Sequence, residues 1–176
     1  MYIRKSTPDD LPEILSIYAH ARAFMKAHGN PDQWGDIWPP EDLIRRDISE
    51  GTGRVCIGDD GRICAVFYYN FGDHIDPCYD RIYDGAWRDD SPYGVVHRIA
   101  SAGTQKGAGS FCIRWGYEQS GRHLRMDTHG DNKVMQACLA GLGFVRCGTV
   151  YVAEDNAPRI AYEKWEPAAS SHNPQH

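Results

Sequence analysis

The stretch HRIASAGTQKGAGSFCIRW, from His97 to Trp115, constrains the fold of this chain most tightly. It continues an apolar, β-branched run that begins at Tyr93, and it breaks at a loop carrying Gly103, Gly107 and Gly109. It then resumes with Ala108, Phe111, Cys112 and Trp115 at i, i+3, i+4 and i+7, the spacing of one helix face. Glycines at such a junction let the backbone approach a ligand closely. The start of the helix leaves amides unpaired at the positive end of its dipole, which suits a phosphate or pyrophosphate. Two familiar nucleotide motifs fail here. No Lys-Ser or Lys-Thr follows the glycines, and Cys112 stands where a dinucleotide fingerprint needs its third glycine. Two readings stay open for the loop: an anion cradle, or a helix start that needs small residues for packing.

The flanking sequence predicts one mixed α/β sheet with helices on both faces. MYIRKS alternates as a first strand, and Thr7 and Pro8 open a helix whose apolar positions are Leu11, Ile14, Leu15, Tyr18 and Met25. PEDLIRRDISEG reads as a second helix, ended by Gly51. Two β-rich runs flank Asp59-Asp60-Gly61 as a hairpin. Residues 72–92 read as irregular. HLRMDTH is a strand with Arg125, Asp127 and His129 on one face; DNKVMQACLAGLGF is a helix capped by Asp131 or Asn132 and stopped at Gly143-Phe144. Two closing strands give the order β-α-α-β-β-β-α-β-α-β-β. One domain is expected over residues 1–165, with a disordered tail at 166–176 that has too few apolar residues to pack.

Composition narrows the function classes. A net charge of −5 argues against a nonspecific nucleic-acid partner, which needs a basic face to release counterions. No run reaches the roughly eighteen apolar residues of a membrane span. The N-terminus lacks the apolar core of a signal peptide, which predicts a cytoplasmic protein. The six cysteines form no CxxC pair and are expected to be reduced.

Asn132, Met135, Leu139 and Gly143-Phe144 follow a strand at offsets 0, +3, +7 and +11/+12. With the HRIAS…GAGS stretch, this spacing resembles the GNAT superfamily of N-acetyltransferases, whose phosphate loop reads [Q/R]xxGx[G/A]. Thr104 stands at the first loop position, with Gln105 one place along. The resemblance implies a mostly antiparallel central sheet flanked by helices, with splayed central strands, and acetyl-CoA as the acyl donor. It implies that backbone groups of Ile99, Ala100 and Ser101 pair with the pantetheine. The amides of Gly107, Ala108, Gly109 and Ser110 would hold the pyrophosphate, with Lys106 as a charge partner, and Asn132 would contact the cofactor or an ordered water. Many relatives carry a tyrosine acid where this chain has Leu139, so Tyr151 and Cys138 are the candidates for protonating the departing thiolate.

His97, Asp127 and His129, on the strands that would flank the gap, are the candidates for taking the amine proton or binding the ammonium. A structural histidine or a turn-capping aspartate is the plainer account of each. Phe24, Trp34, Trp38, Tyr83 and Trp87, with Asp73, Asp76, Asp80 and Asp84 nearby, read as the wall of a small-amine site or as loop anchors. The implied partner is a small-molecule primary amine, and the exposed edges of such sheets leave a homodimer open. DTHGDN also invites a metal reading, but it lacks a second His/Cys cluster to complete about three protein ligands, so no metal is expected. The rival from another class is a CoA-binding sensor module without transferase activity.

Overall fold

The computed structural model describes residues 1–153 and 155–166. The elements follow the expected order. They are β1 (Tyr2–Lys5), α1 (Leu11–Ala27), α2 (Glu41–Ser49), β2 (Gly53–Ile57), β3 (Ile63–Gly72), β4 (Tyr93–Ser101), α3 (Ala108–Gln119), β5 (His123–Thr128), α4 (Lys133–Gly141), β6 (Val145–Tyr151) and β7 (Pro158–Trp165). The strands form one sheet in the order β1-β2-β3-β4-β5-β7-β6. Every neighbouring pair is antiparallel except β4 and β5, which are parallel. The expected tail enters the described residues only at Glu166, whose amide donates to the Arg122 carbonyl at 3.0 Å. Its remainder, 167–176, lies outside them. No helix among the described residues is long and apolar enough to cross a membrane.

The helix start at Thr7 differs from the expectation. Pro8–Asp10 form a single 3-10 turn, and the α-helix begins at Leu11. Pro12 has no N–H to donate to the Pro8 carbonyl, so the i→i−4 ladder cannot begin at Pro8. Asp10 anchors the turn instead, accepting from the Thr7 amide (2.8 Å) and from both terminal nitrogens of Arg4 (2.7 and 2.8 Å).

The core lies in two layers. On one face of the sheet, α3 and α4 bury Val96, Cys112, Ile113, Leu124, Met126 and Leu139, with Cys56 and Cys64 as fully buried free thiols among them. On the other face, α1 and α2 bury Ile14, Tyr18, Ile44, Val55 and Ala100. A third cluster, around Tyr79, Tyr93 and Val95, pins the segment between β3 and β4 to the sheet. Close approach of α3 to β4 requires a bare backbone at Gly94, where a Cβ would overlap the Ser120 side chain.

The feature that makes room for a site is the junction of β4 and β5. They pair only at Gly94–Leu124 and Val95–Arg125 and then separate. The register of β3 against β4 also slips between Val66–Ala100 and Tyr68–His97, so β4 carries an extra residue there. Arg98, at φ 50°, takes up the bulge. The β4 edge that faces β5 is therefore bare from Val96 onward.

Candidate active site

A cleft of about 850 Å³ occupies the gap between β4 and β5. Its lining comes from both faces of the sheet: Gly109, Met135 and Cys138 from the α3–α4 face, and Asp47, Tyr68 and Asp76 from the opposite one. Of the expected site residues, His97, Asp127, Ile99, Ala100, Ser101, Gly109, Asn132 and Trp34 line it.

The glycine loop is built to present amides. Gly107 caps α3 in the left-handed region at φ 80°, and its carbonyl accepts from the Phe111 amide at 2.9 Å. No described residue accepts from the amides of Gly109 and Ser110, as expected at a helix start. A Cβ placed on Gly107 or Gly109 would meet nothing within 4 Å, so the space above the loop is open. Ala108 is buried beneath the loop, Lys106 is exposed, and the Ser110 hydroxyl lies 3.4 Å from Cys138 Sγ. Gln105 turns away from the cleft, and its amide nitrogen donates to Asp59 Oδ2 at 3.1 Å.

Asn132 caps α4 by accepting from the Met135 amide at 3.1 Å. Its own amide nitrogen donates to Gln33 Oε1 at 3.0 Å, and Gln33 also accepts from Asn30 Nδ2 at 2.7 Å. This contact ties the loop after α1 to the start of α4. Trp34, on that loop, meets Tyr18 edge to face at 5.7 Å.

The α1–α2 face of the gap holds a compact charged group. His97 Nε2 donates to Asp76 Oδ2 at 2.6 Å, and His97 Nδ1 lies 3.7 Å from Asp127 Oδ2. The Cys78 amide donates to Asp76 Oδ1 at 2.9 Å, and the Tyr79 hydroxyl donates to Asp127 Oδ2 at 2.7 Å. Burial alone would lower the His97 pKa, but the hydrogen bond to Asp76 and the charges of Asp76 and Asp127 outweigh it and raise the pKa. Burial would raise Asp76, yet the hydrogen bond and charge of His97 hold it below the usual carboxylate range. For Asp127 burial dominates and pushes the carboxyl up, only partly offset by the His97 charge and the Tyr79 hydroxyl. Next to this group, Arg98 donates to Asp47 at 2.7 Å and lies over the Tyr68 ring at 4.6 Å. Its backbone carbonyl accepts from the Tyr18 hydroxyl at 2.9 Å.

An acetyltransferase of the GNAT family from Streptococcus agalactiae superimposes on this chain with a TM-score of 0.83 and 31% sequence identity, covering 95% of this chain and 96% of that one. The chain belongs to the GNAT acetyltransferase family. More distant GNAT structures share the fold. One from Listeria monocytogenes has a TM-score of 0.66 at 18% identity, covering 94% of each chain. A phosphinothricin acetyltransferase from Sinorhizobium meliloti, in complex with AcCoA, has a TM-score of 0.62 at 12% identity, covering 97% of this chain and 91% of that one. No family model matches the chain, and no curated protein matches it.

Within the GNAT fold, seven expected site residues do not line the cleft: Lys106, Gly107, Ala108 and Ser110 of the glycine loop, and Tyr83, His129 and Tyr151 elsewhere. Tyr151, at the end of β6, is exposed and packs edge to face on Tyr83 at 5.3 Å. Tyr83 in turn pairs with Thr149 as an isolated bridge, so both tyrosines dress the β6 edge, which β7 separates from β5. His129 closes the turn into α4, where its Nδ1 accepts from the Asp131 amide at 3.2 Å. Leu139 is fully buried in the α3–α4 core, and Cys138 is the neighbour that lines the cleft. Sequence reasoning missed the partnership of Asp76 with His97 and of Tyr79 with Asp127. The Asp76-Pro77 dipeptide did signal a turn. Nothing in the sequence said which strand the turn faces. Among the described residues, no group of three His, Cys, Asp or Glu side chains is arranged to hold a metal ion.

Proposed function

We propose that the protein moves the acetyl group of acetyl-CoA onto the primary amine of a small molecule. The observation that carries this reading is one cleft joining three features: the unpaired amides at the start of α3, the bare edge of β4, and carboxylates on the far side of the sheet. An acyl-CoA has a part for each. Its pyrophosphate suits the amides of Gly109 and Ser110. Its pantetheine amides suit the bare edge at Ile99–Ser101, as an added half-strand. Its thioester would then reach the gap beside His97 and Asp127, where an amine approaches from the α1–α2 side. A backbone amide at the splay, that of Ile99 or Ala100, would face the developing oxyanion. Cys138 would be the nearest protic group for the departing sulfur. The AcCoA complex of the S. meliloti relative supports the choice of donor.

Trp34, Trp38 and Phe24 line the same cleft as Asp76 and Asp127, and aromatic faces and carboxylates are groups suited to an ammonium. The test is release of free CoA thiol from acetyl-CoA across a panel of alkylamines, diamines, amino acids and amino sugars. Saturable, amine-dependent release is the expected result. The buried Leu139, at the usual tyrosine position, favours a second reading as a CoA-binding sensor. That reading predicts acetyl-CoA binding with no amine-dependent release.

A further inference from the structure

The geometry points to Asp127 as the group that takes the proton of the acceptor ammonium, with Asp76, His97 and Tyr79 as positioning residues that act through it. The assignment rests on the amine acetyl transfer proposed above. A base needs a bare lone pair facing the substrate, and His97 has none to spare. Its Nε2 is committed to Asp76 at 2.6 Å, and its Nδ1 faces Asp127 Oδ2 at 3.7 Å. Both ring nitrogens end on carboxylates, so the imidazole serves as a cation between them. Asp76 is itself fixed by the Cys78 amide, which leaves the His97 ring little freedom to turn toward a ligand.

Asp127 is arranged differently. Its Oδ2 takes the Tyr79 hydroxyl and faces His97, while its Oδ1 accepts no hydrogen bond among the described residues. The side chain is only 10% exposed, and it lines the cleft. Tyr79 from the β3–β4 segment and His97 from β4 contact it, and the charges of Asp76 and of Arg159 on β7 also act on it. The His97 charge is matched by Asp76, and that of Arg159 by Asp155 at 2.8 Å. Asp127 thus shares its nearest cation, His97, with Asp76, and it keeps one oxygen free of hydrogen bonds beside the cleft. Burial also raises its proton affinity, as a base requires.

The proposed step balances without any further reagent. The ammonium gives one proton to Asp127, and the freed nitrogen lone pair forms the C–N bond at the thioester carbonyl. The adduct collapses with cleavage of the C–S bond, and the second nitrogen proton goes to the departing thiolate. Asp127 then returns its proton to solvent.

The test is the pH dependence of kcat and kcat/KM with acetyl-CoA and the best acceptor of the amine panel, for wild type, Asp127→Asn, His97→Gln and Tyr79→Phe. Calorimetry with acetyl-CoA checks that each variant is folded. D127N should keep its acetyl-CoA affinity and lose about 10²–10⁴-fold in kcat, the range general-base catalysis supplies. H97Q should retain a plateau well above that of D127N, with its acidic limb moved to higher pH, because the cation that lowers the Asp127 pKa is gone. Y79F should move the limb in the same direction, since a donor to the ionised carboxylate is lost. A merely structural role would lower activity without moving the limb, and that result overturns the assignment. So does an H97Q enzyme that loses both plateau and limb while D127N keeps them. Should D127N fail to fold, an unmoved limb in Y79F is decisive against it. Wild type that binds acetyl-CoA but releases no CoA with any amine refutes acetyl transfer itself, and is told apart because it needs no variant.

Discussion

His97 on β4 and Asp127 on β5 lie 3.7 Å apart across a gap that their strands have already ceased to bridge. The backbones part after Val95 and Arg125, yet these side chains converge two residues further on, both on the face away from α3 and α4. A cofactor in the gap and an acceptor beyond it would meet at this pair. The segment between β3 and β4 holds the pair in place through Asp76 and Tyr79.

That segment is fastened by Glu163. The carboxylate is fully buried on β7 and accepts from His123 Nε2 (2.7 Å), Arg125 Nε (2.9 Å) and the Arg88 amide (2.8 Å). The Arg125 guanidinium lies over the rings of Trp87 and Tyr93 at 4.5 and 4.1 Å. Glu163→Gln leaves the Arg125 cation buried without its carboxylate, which should cost about 3–5 kcal/mol in urea denaturation. It should also lower transfer activity, by loosening the segment that supplies Asp76.

Asn132 carries two duties. Asn132→Ala removes the cap of α4 and the link to Gln33, and should cost about 1 kcal/mol in the same measurement. Gln33→Ala keeps the α4 cap but removes both the link to Asn132 and the acceptor of the buried Asn30 amide. It should loosen the loop that carries Trp34, read as faster amide hydrogen exchange over residues 30–38.

Much of the architecture was legible because local chemistry decided it. Gly61 at φ 79° and Gly143 at φ 80° take conformations that favour glycine, and the Asn132 cap needs only its own helix. The candidate site was legible where a residue's own strand places it, as with His97 on β4 and Asp127 on β5. It was not legible where packing across the chain decided. Asp76 reaches His97 because Tyr79 is buried against Trp87 and Tyr93, a relation no periodicity reports. Cys138 and Leu139 are adjacent in sequence but about 100° apart around α4. Spacing from Asn132 therefore does not say which of them faces the cleft. Tyr151 sits on the edge strand, a placement fixed by the insertion of β7 between β5 and β6.

Acid stability should depend on Asp10. The hydrogen bonds from Arg4 lower its pKa from 3.8 to about 2, so the folded state binds this proton less readily than the unfolded chain does. The stabilisation is present above pH 3.8 and is lost as pH falls toward 2. Asp10→Asn should cost about 1 kcal/mol at neutral pH, less than the full shift implies because solvent screens the partly exposed Arg4. The difference between wild type and variant should shrink from pH 3.8 downward and vanish only below about pH 2 in denaturation curves.

The central claim is that the cleft takes acetyl-CoA, with its pyrophosphate on the amides that open α3. Calorimetric titration of wild type and Gly109→Asp with acetyl-CoA tests it most directly. The substituted side chain has open space, so the fold should survive, while its carboxylate stands where the anion would bind. Saturable binding by wild type, weakened at least about tenfold in the variant, is the predicted result, since like charges at such a site repel. Absent binding by wild type, or equal binding by both proteins, would contradict the account.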